Sequence, residues 1–83
     1  MLYPVAIEAV DPKSAFGVIV PDLPGCFSAG DTYLEALANA REAILLHIQS
    51  LADMGLSTPK GRAIDDYKDS PEYQGWSWDV VEV

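Results

Sequence analysis

The chain has 83 residues, of which 13 are acidic and 5 are basic, and its formal net charge is −8. Because 49% of the residues are hydrophobic, the chain can build a core, which indicates one small folded domain and excludes a disordered acidic tail. The excess of carboxylates argues against nucleic-acid binding, which needs Lys and Arg to neutralise phosphates, and is compatible with a basic protein partner.

The N-terminal third of the chain predicts three strands. Alternating apolar side chains indicate strands over residues 2–9 and 15–20, joined as a hairpin by turn-forming residues at 11–14. Pro4 lacks an amide hydrogen, which indicates either an edge strand or an early position within a strand. A loop rich in Pro and Gly follows at 21–25, and residues 26–29 can form a short third strand that ends at Gly30.

The middle of the chain predicts one long helix that continues to Met54. Thr32 and Glu35 have the spacing of a capping box at its start, and Gly55 is typical of the residue that follows a helix. One apolar face of this helix is expected to pack on the sheet, and it consists of Ala36, Leu37, Ala40, Ala43, Ile44, His47, Leu51 and Met54. A second apolar strip is either tolerated surface or covered by another segment or a partner, and it consists of Leu34, Ala38, Leu45 and Ile48.

The C-terminal third predicts a short helix and a last strand. Residues 62–68 have a small apolar edge, and residues 76–83 alternate between apolar and polar side chains. Trp76 and Trp78 share one face of that strand, where we expect packing against the helix; an interface role is the alternative. This order of elements predicts an α+β fold, with a small antiparallel sheet and one long helix packed across it.

Few side chains suggest chemistry. The carboxylates near the C-terminal segment fall in irregular chain, where solvated acids are more usual than a metal site. His47 has no recognisable catalytic partner. Cys26 is the single cysteine, which excludes an internal disulfide, and we expect it to be a small buried hydrophobe. We therefore expect no catalytic residue, no metal and no cofactor, and a metal-dependent nuclease is the least favoured alternative.

The loop Asp22-Leu23-Pro24-Gly25-Cys26-Phe27 is the most informative stretch. Pro24 and Gly25 within it, and Pro21 directly before it, restrict its backbone. It is either a structural crossover that places Leu23 and Phe27 in the core, or a preorganised recognition loop, since a rigid loop loses less entropy on binding. The residues alone leave both interpretations open.

Several motifs together resemble the HicB antitoxins. They are Tyr3-Pro4-Val5, Gly17-Val18, the run from Val20 to Cys26, Gly30-Asp31-Thr32 with Glu35-Ala36, the helix sequence from Ala36 to Ile44, and Gly75-Trp76. The resemblance implies an N-terminal domain with a partial RNase H-like fold that neutralises HicA, a small basic toxin that cleaves mRNA with a catalytic His. In the family, a C-terminal DNA-binding domain normally follows and represses the operon.

The resemblance implies specific expectations about the domain, its partner and its contact residues. Residues 1–83 would form a single toxin-neutralising domain without the C-terminal DNA-binding domain, binding no nucleic acid directly, cytoplasmic and not associated with a membrane. The toxin would be bound so that its basic RNA-binding surface and catalytic His are occluded. The candidate contact residues are Asp22, Leu23, Pro24, Gly25 and Phe27 in the loop and Asp65, Asp66 and Asp69 in the acidic segment. We also expect a homo-oligomer. The alternative function is a self-associating structural domain that uses a sheet edge and the strip with Leu34 and Leu45.

Overall fold

A computed structural model describes residues 1–11 and 15–83. The strands are β1 (Leu2–Asp11), β2 (Ala15–Ile19), β3 (Phe27–Gly30) and β4 (Ser77–Glu82), and the helix α1 spans Tyr33–Asp53. Two single turns of 3₁₀-helix lie between α1 and β4, at Ile64–Asp66 and Pro71–Tyr73. Apart from the backbone of Asp11, which is the last residue of β1, the turn predicted at 11–14 lies outside the described residues. The predicted α+β fold is confirmed.

The four strands form one antiparallel sheet in the order β3-β2-β1-β4. The predicted strands are correct to within two residues, since β1 is two residues longer than expected and β3 is shifted by one. Pro4 lies in a central strand, so only the second of its two predicted positions, early within a strand, is right. Its missing amide hydrogen costs no ladder bond because Pro4 and Val80 form a non-hydrogen-bonded pair between β1 and β4, and β1 pairs with β2 only from Ala6 onward.

The core lies between one face of the sheet and α1. The strand side chains in this layer include Tyr3, Val5, Ile7, Val18 and Val81, and the helix contributes Ala36, Ala40 and Ile44. The small alanine side chains allow the helix to lie close to the sheet. Most of the predicted helix face is therefore confirmed, but Met54 is 63% exposed. Of the second apolar strip, Ile48 packs against the core, whereas Leu34 is 77% exposed.

Both ends of α1 follow the local signals in the sequence. The Thr32 hydroxyl accepts a hydrogen bond from the Glu35 amide at 3.1 Å. The Glu35 carboxylate reaches the amide of Asp31 at 3.4 Å, one residue before the position that the capping box predicts. At the C-terminus, Gly55 has φ +71°, and the amide of Leu56 donates across the turn to the carbonyl of Leu51 at 2.8 Å. This bond and the left-handed glycine form a Schellman motif.

The segment between α1 and β4 covers the face of the sheet opposite the helix. Trp78 pairs with Ala6 on that face, stacks on Tyr67 at 6.2 Å between ring centroids and meets the edge of Tyr73 at 5.3 Å. The expectation that Trp78 packs against the helix is wrong. Because β4 pairs Val81 with Tyr3 in the helix-facing layer, Trp78 must point to the other side.

Two further expectations about the C-terminal segment are corrected. Trp76 lies before β4 begins and contacts the Tyr73 ring at 5.7 Å between centroids. The helix predicted over residues 62–68 is only the single turn Ile64–Asp66. Ala63 has extended backbone angles (φ −77°, ψ 151°), so the helical turn cannot begin before Ile64.

Candidate functional site

The loop after β2 is fixed by a buried carboxylate. Asp22 is 8% exposed. Its Oδ2 accepts from the Arg62 amide at 3.0 Å, and its Oδ1 accepts from the Tyr67 hydroxyl at 2.5 Å. Burial, followed by the bond to this carboxylate, raises the pKa of Tyr67 to about 12. Asp22 therefore joins the loop to the C-terminal segment, and little of its side chain is exposed.

The rest of the loop divides into buried and exposed residues. Leu23 is fully buried, and Cys26 is 4% exposed. Burial raises the pKa of the Cys26 thiol, which agrees with the expected small hydrophobe. Pro24 and Gly25 are exposed, and Phe27 is 63% exposed. The structural interpretation of the loop thus holds for Leu23 and is wrong for Phe27, whose side chain lies outside the core.

A slot opens beside Phe27 at the outer edge of β3. It encloses about 260 Å³ and is lined by Gly25, Cys26, Phe27, Ala43, Leu46, His47 and Ser50. Leu46 is 65% exposed. We call this set of residues the β3-edge slot. It contains a strand edge, two exposed apolar side chains and no acidic residue.

The acidic residues of the C-terminal segment are all on the surface. Asp65 lies 3.1 Å from the Lys68 ammonium, and Asp66 lies 3.8 Å from the Arg62 guanidinium. The hydrogen bond to Asp65 is the main cause of a raised pKa at Lys68. Asp69 is also exposed. Exposed ion pairs of this kind contribute little, so a charged partner can replace them at small cost.

An apolar groove runs beside Asp65 on the face of the sheet opposite α1. It encloses about 420 Å³ and is lined by Leu2, Pro4, Gly61, Arg62, Ala63, Ile64, Asp65 and Val80. Leu2 is 56% exposed and Val80 is 42% exposed. We call it the acidic-rimmed groove. Sequence reasoning missed it because it joins both ends of the chain. One signal was present, since the β1 residues facing away from the helix include the apolar Leu2, Pro4 and Ala6.

The exposed candidate residues therefore fall on two separate surfaces. The exposed loop residues adjoin β3, while the acidic-rimmed groove adjoins β1 and β4. The order β3-β2-β1-β4 places these surfaces toward opposite edges of the sheet. In the described part of the chain, no group of three or more His, Cys, Asp or Glu side chains could hold a metal ion. Within residues 1–11 and 15–83, no helix has the length and apolar character needed to cross a membrane.

This small sheet-and-helix fold therefore carries two exposed candidate contact surfaces. The family model of the HicB-like antitoxins of bacterial toxin–antitoxin systems matches residues 3–83, so the chain belongs to this family. The resemblance to the HicB antitoxins that the sequence motifs indicated is thereby confirmed. Membership of a family of antitoxins also confirms the expectation that the chain is not an enzyme.

Solved structures agree with this assignment. The N-terminal domain of the Burkholderia pseudomallei antitoxin HicB is 36% identical, covers 100% of this chain and 98% of that domain, and superposes with a TM-score of 0.87. A chain of the HicA3 and HicB3 toxin–antitoxin complex is 33% identical, with 99% and 96% coverage and a TM-score of 0.80. These likenesses confirm that the fold is that of a HicB N-terminal domain.

A protein encoded in the rep-hol intergenic region of Haemophilus phage HP1 is 47% identical over 83 residues. That match covers 100% of this chain and 61% of the phage protein. A UPF0150 protein of Thermoplasma acidophilum is 43% identical over 63 residues, covering 76% of this chain and 90% of that protein. The chain thus spans less than two thirds of the phage relative.

Proposed function

We propose that this chain is the toxin-binding domain of an antitoxin, and that it neutralises a HicA-type toxin by covering the toxin's basic RNA-binding surface and catalytic His. The observation that carries the proposal is the likeness over 99% of the chain to a chain of the HicA3 and HicB3 complex. The net charge of −8 supports it, because an acidic surface attracts a basic RNA-binding protein and repels its substrate.

The acidic-rimmed groove is the surface that best fits such a partner. Its floor is apolar and partly exposed through Leu2 and Val80, so an apolar side chain of the toxin gains burial there. Asp65 at its rim, with Asp66 and Asp69 on the same exposed segment, offers carboxylates to the basic side chains around that anchor. Their present pairing with Arg62 and Lys68 is weak enough to be exchanged.

The loop residues have different parts in this proposal. Asp22 and Leu23 are buried, so they act by holding the loop and the C-terminal segment in place. Pro24, Gly25 and Phe27 are exposed and form the second candidate contact surface. We further propose that the domain makes no direct contact with operator DNA and acts in the cytoplasm, where an mRNA-cleaving partner works. A gel-shift titration of the domain alone against operator DNA tests the first point, and retardation would contradict it.

The test is binding to the small basic protein encoded beside this one, measured by calorimetry and by stopped-flow association in low and moderate salt. We expect tight binding that weakens as salt is added. The variant Asp65→Lys with Asp69→Lys is expected to slow association at low salt by about tenfold or more, because steering charges act mainly on the association rate. Asp66 is left unchanged because it also accepts the Ala63 amide at 3.2 Å.

The matched control is Glu42→Lys with Asp53→Lys, which makes the same change in net charge on the exposed surface of α1. It should slow association much less. Equal slowing in both variants would mean that only net charge matters and that the groove is not the contact surface. Absence of binding by the folded domain would contradict the proposed function itself.

A further inference from the structure

Another cavity lies on the same face of the sheet as the acidic-rimmed groove. It encloses about 380 Å³ between the end of the C-terminal segment and the start of β4, and its lining includes Asp69, Tyr73, Trp76 and Trp78. We call it the aromatic pocket. Trp76 belongs neither to the core between the sheet and α1 nor to the lining of the acidic-rimmed groove, and its ring is partly exposed. This tryptophan is therefore available to a partner.

The walls of the aromatic pocket are held in place by packing and by backbone bonds. The Tyr73 ring is 9% exposed, and it meets both indoles edge to face, with its centroid 5.7 Å from that of Trp76 and 5.3 Å from that of Trp78. The Tyr73 amide donates to the Ser70 carbonyl at 3.1 Å, and the Trp76 amide donates to the Tyr73 carbonyl at 3.0 Å. A site that is fixed in this way loses little conformational entropy when a ligand enters.

The aromatic pocket also carries negative charge. Asp69 is exposed, and within residues 1–11 and 15–83 no basic side chain forms an ion pair with it. Lys68, the basic residue of the lining, places its ammonium 3.1 Å from Asp65. The hydrogen bond to Asp65 is the main cause of the raised pKa of Lys68, and the charge of Asp69 is a smaller one. The Asp69 carboxylate is thus left beside the aromatic walls to meet a cation.

The same segment holds an arginine of its own by such a pair of groups. The Arg62 guanidinium lies over the Tyr67 ring, 5.7 Å from its centroid, and 3.8 Å from the Asp66 carboxylate. A guanidinium is planar, so it can stack on an aromatic face while its N–H groups donate to a carboxylate. Trp76 and Asp69 repeat the two components, and tryptophan is the ring that attracts cations most strongly. In the described part of the chain, no basic side chain lies over Trp76.

The aromatic pocket is close to the acidic-rimmed groove. Trp78 of the pocket and Val80 of the groove point to the same side of β4 and are two residues apart, which is about 7 Å along a strand. Asp65 and Asp69, one in each lining, belong to the same exposed segment. A protein that places an apolar side chain in the groove therefore lies beside the pocket as well.

We propose that the aromatic pocket binds one arginine side chain of the basic partner, with the guanidinium stacked on Trp76 and bonded to the Asp69 carboxylate. This inference rests on the proposed function, because it takes the partner at the acidic-rimmed groove to be a basic protein, and it adds the residue type that the partner presents. Lysine fits the pocket less well, since its ammonium has no planar face to stack and no fork of N–H groups to match a carboxylate.

The first test examines the chemistry of the pocket on the domain alone. N-acetyl-arginine amide at millimolar concentration is expected to shift the indole N–H signal of Trp76 in NMR spectra, and to shift that of Trp78 less because Tyr67 stacks on its ring. N-acetyl-citrulline amide has nearly the same shape without the charge and should shift the Trp76 signal much less, as should N-acetyl-lysine amide. The chain has two tryptophans, so Trp76→Phe assigns both signals. Equal shifts with arginine and citrulline, including no shift with either, would overturn the proposal.

The second test uses the complex with the basic protein encoded beside this one. Trp76→Ala should raise the dissociation rate by about tenfold or more, and Trp76→Phe should raise it less because phenylalanine also attracts a cation, although more weakly. Both variants should associate at the wild-type rate, since neither changes a charge. Leu34→Ala is the control, because it removes an apolar side chain that is 77% exposed on α1, on the other side of the sheet.

Asp69→Asn keeps the size of the side chain and removes its charge, so it should also raise the dissociation rate. It decides the case in which Trp76→Ala does not fold, because Asp69 is exposed. If the wild-type domain binds the basic protein, and the folded variants at both positions dissociate as slowly as wild type, the proposal is overturned while the proposed function stands. If the wild-type domain does not bind, the proposed function fails, and the titration with the arginine amide still decides whether the pocket is an arginine site.

Discussion

Replacing Asp22 with Ala should destabilise the domain by about 3 kcal/mol. The carboxylate accepts two hydrogen bonds, from Arg62 and Tyr67, while it is 8% exposed. Hydrogen bonds to charged groups contribute about 1.5–3 kcal/mol each, and the substitution also leaves two donors without a partner. A domain of this size has a total stability of roughly 4–12 kcal/mol, so the loss is a large fraction of it.

Urea unfolding followed by tryptophan fluorescence measures this loss, because Trp78 stacks on Tyr67 and reports the attachment of the C-terminal segment. With a slope of about 1–1.5 kcal/mol per molar urea, the midpoint should fall by about 2–3 M. Tyr67→Phe removes one of the two bonds and should cost about 1–2 kcal/mol. The double variant should lose less than the sum of the two single losses, since both remove the same bond.

Asp69→Ala is the control, because it removes an exposed carboxylate from the same acidic segment and should change stability by about 0.5 kcal/mol or less. If Asp22→Ala changes the free energy of unfolding no more than this control does, the reasoning is refuted. The hydrogen bonds of the buried carboxylate would then contribute nothing net to the attachment of the segment.

Three further predictions concern single residues. The pKa of Tyr67 is raised from 10.0 to about 12 in the fold, so the unfolded chain loses this proton first. The stabilising contribution of Tyr67 should therefore be fully present below pH 10 and be lost as the pH rises to about 12. Urea titrations at fixed pH measure this dependence, and Tyr67→Phe should weaken it. Gly61→Ala places a Cβ on the carbonyl oxygen of Leu2 and should lower stability by about 3 kcal/mol or more, whereas Gly17→Ala meets only ordinary contacts and should change thermal unfolding little. Thr32→Ala removes the helix cap and should cost about 1 kcal/mol, as measured by helix melting in circular dichroism, while Thr32→Ser should retain most of it.

The parts of the fold that local chemistry decides were predictable from the sequence. The capping residue Thr32 and the left-handed Gly55 act within a few residues of themselves, and both helix ends were placed correctly. The strands were found to within two residues because alternation is also local. The likeness to the HicB antitoxins supplied the family, which no single pattern in the chain indicates.

The parts that depend on distant pairing were not predictable. The side of the sheet on which Trp78 lies is set by the register between β1 and β4, which pairs residues as distant in sequence as Ala6 and Trp78. The alternation within β4 was right, but alternation does not say which face meets the helix. The acidic-rimmed groove was missed for the same reason, because Leu2 and Val80 meet only when that register forms. The loop at 22–27 was open to two interpretations because Leu23 and Phe27 differ in burial, which composition does not reveal.

The distance between the two candidate contact surfaces gives them different responses to salt. Three strand spacings of about 4.8 Å separate β3 from β4, or about 14 Å in all, whereas the Debye length at physiological ionic strength is about 8 Å. The carboxylates at the acidic-rimmed groove are therefore largely screened from the β3 edge, which has no acidic lining residue of its own. Toxin contact through the acidic-rimmed groove should weaken steeply between low and moderate salt, whereas contact through the exposed loop residues beside β3 should change little. Calorimetry of Asp65→Lys and Phe27→Ala across the same salt series would measure both, because only Asp65→Lys should reduce the salt dependence of binding. An equal effect of the two variants on the salt dependence would mean that the two surfaces do not act separately.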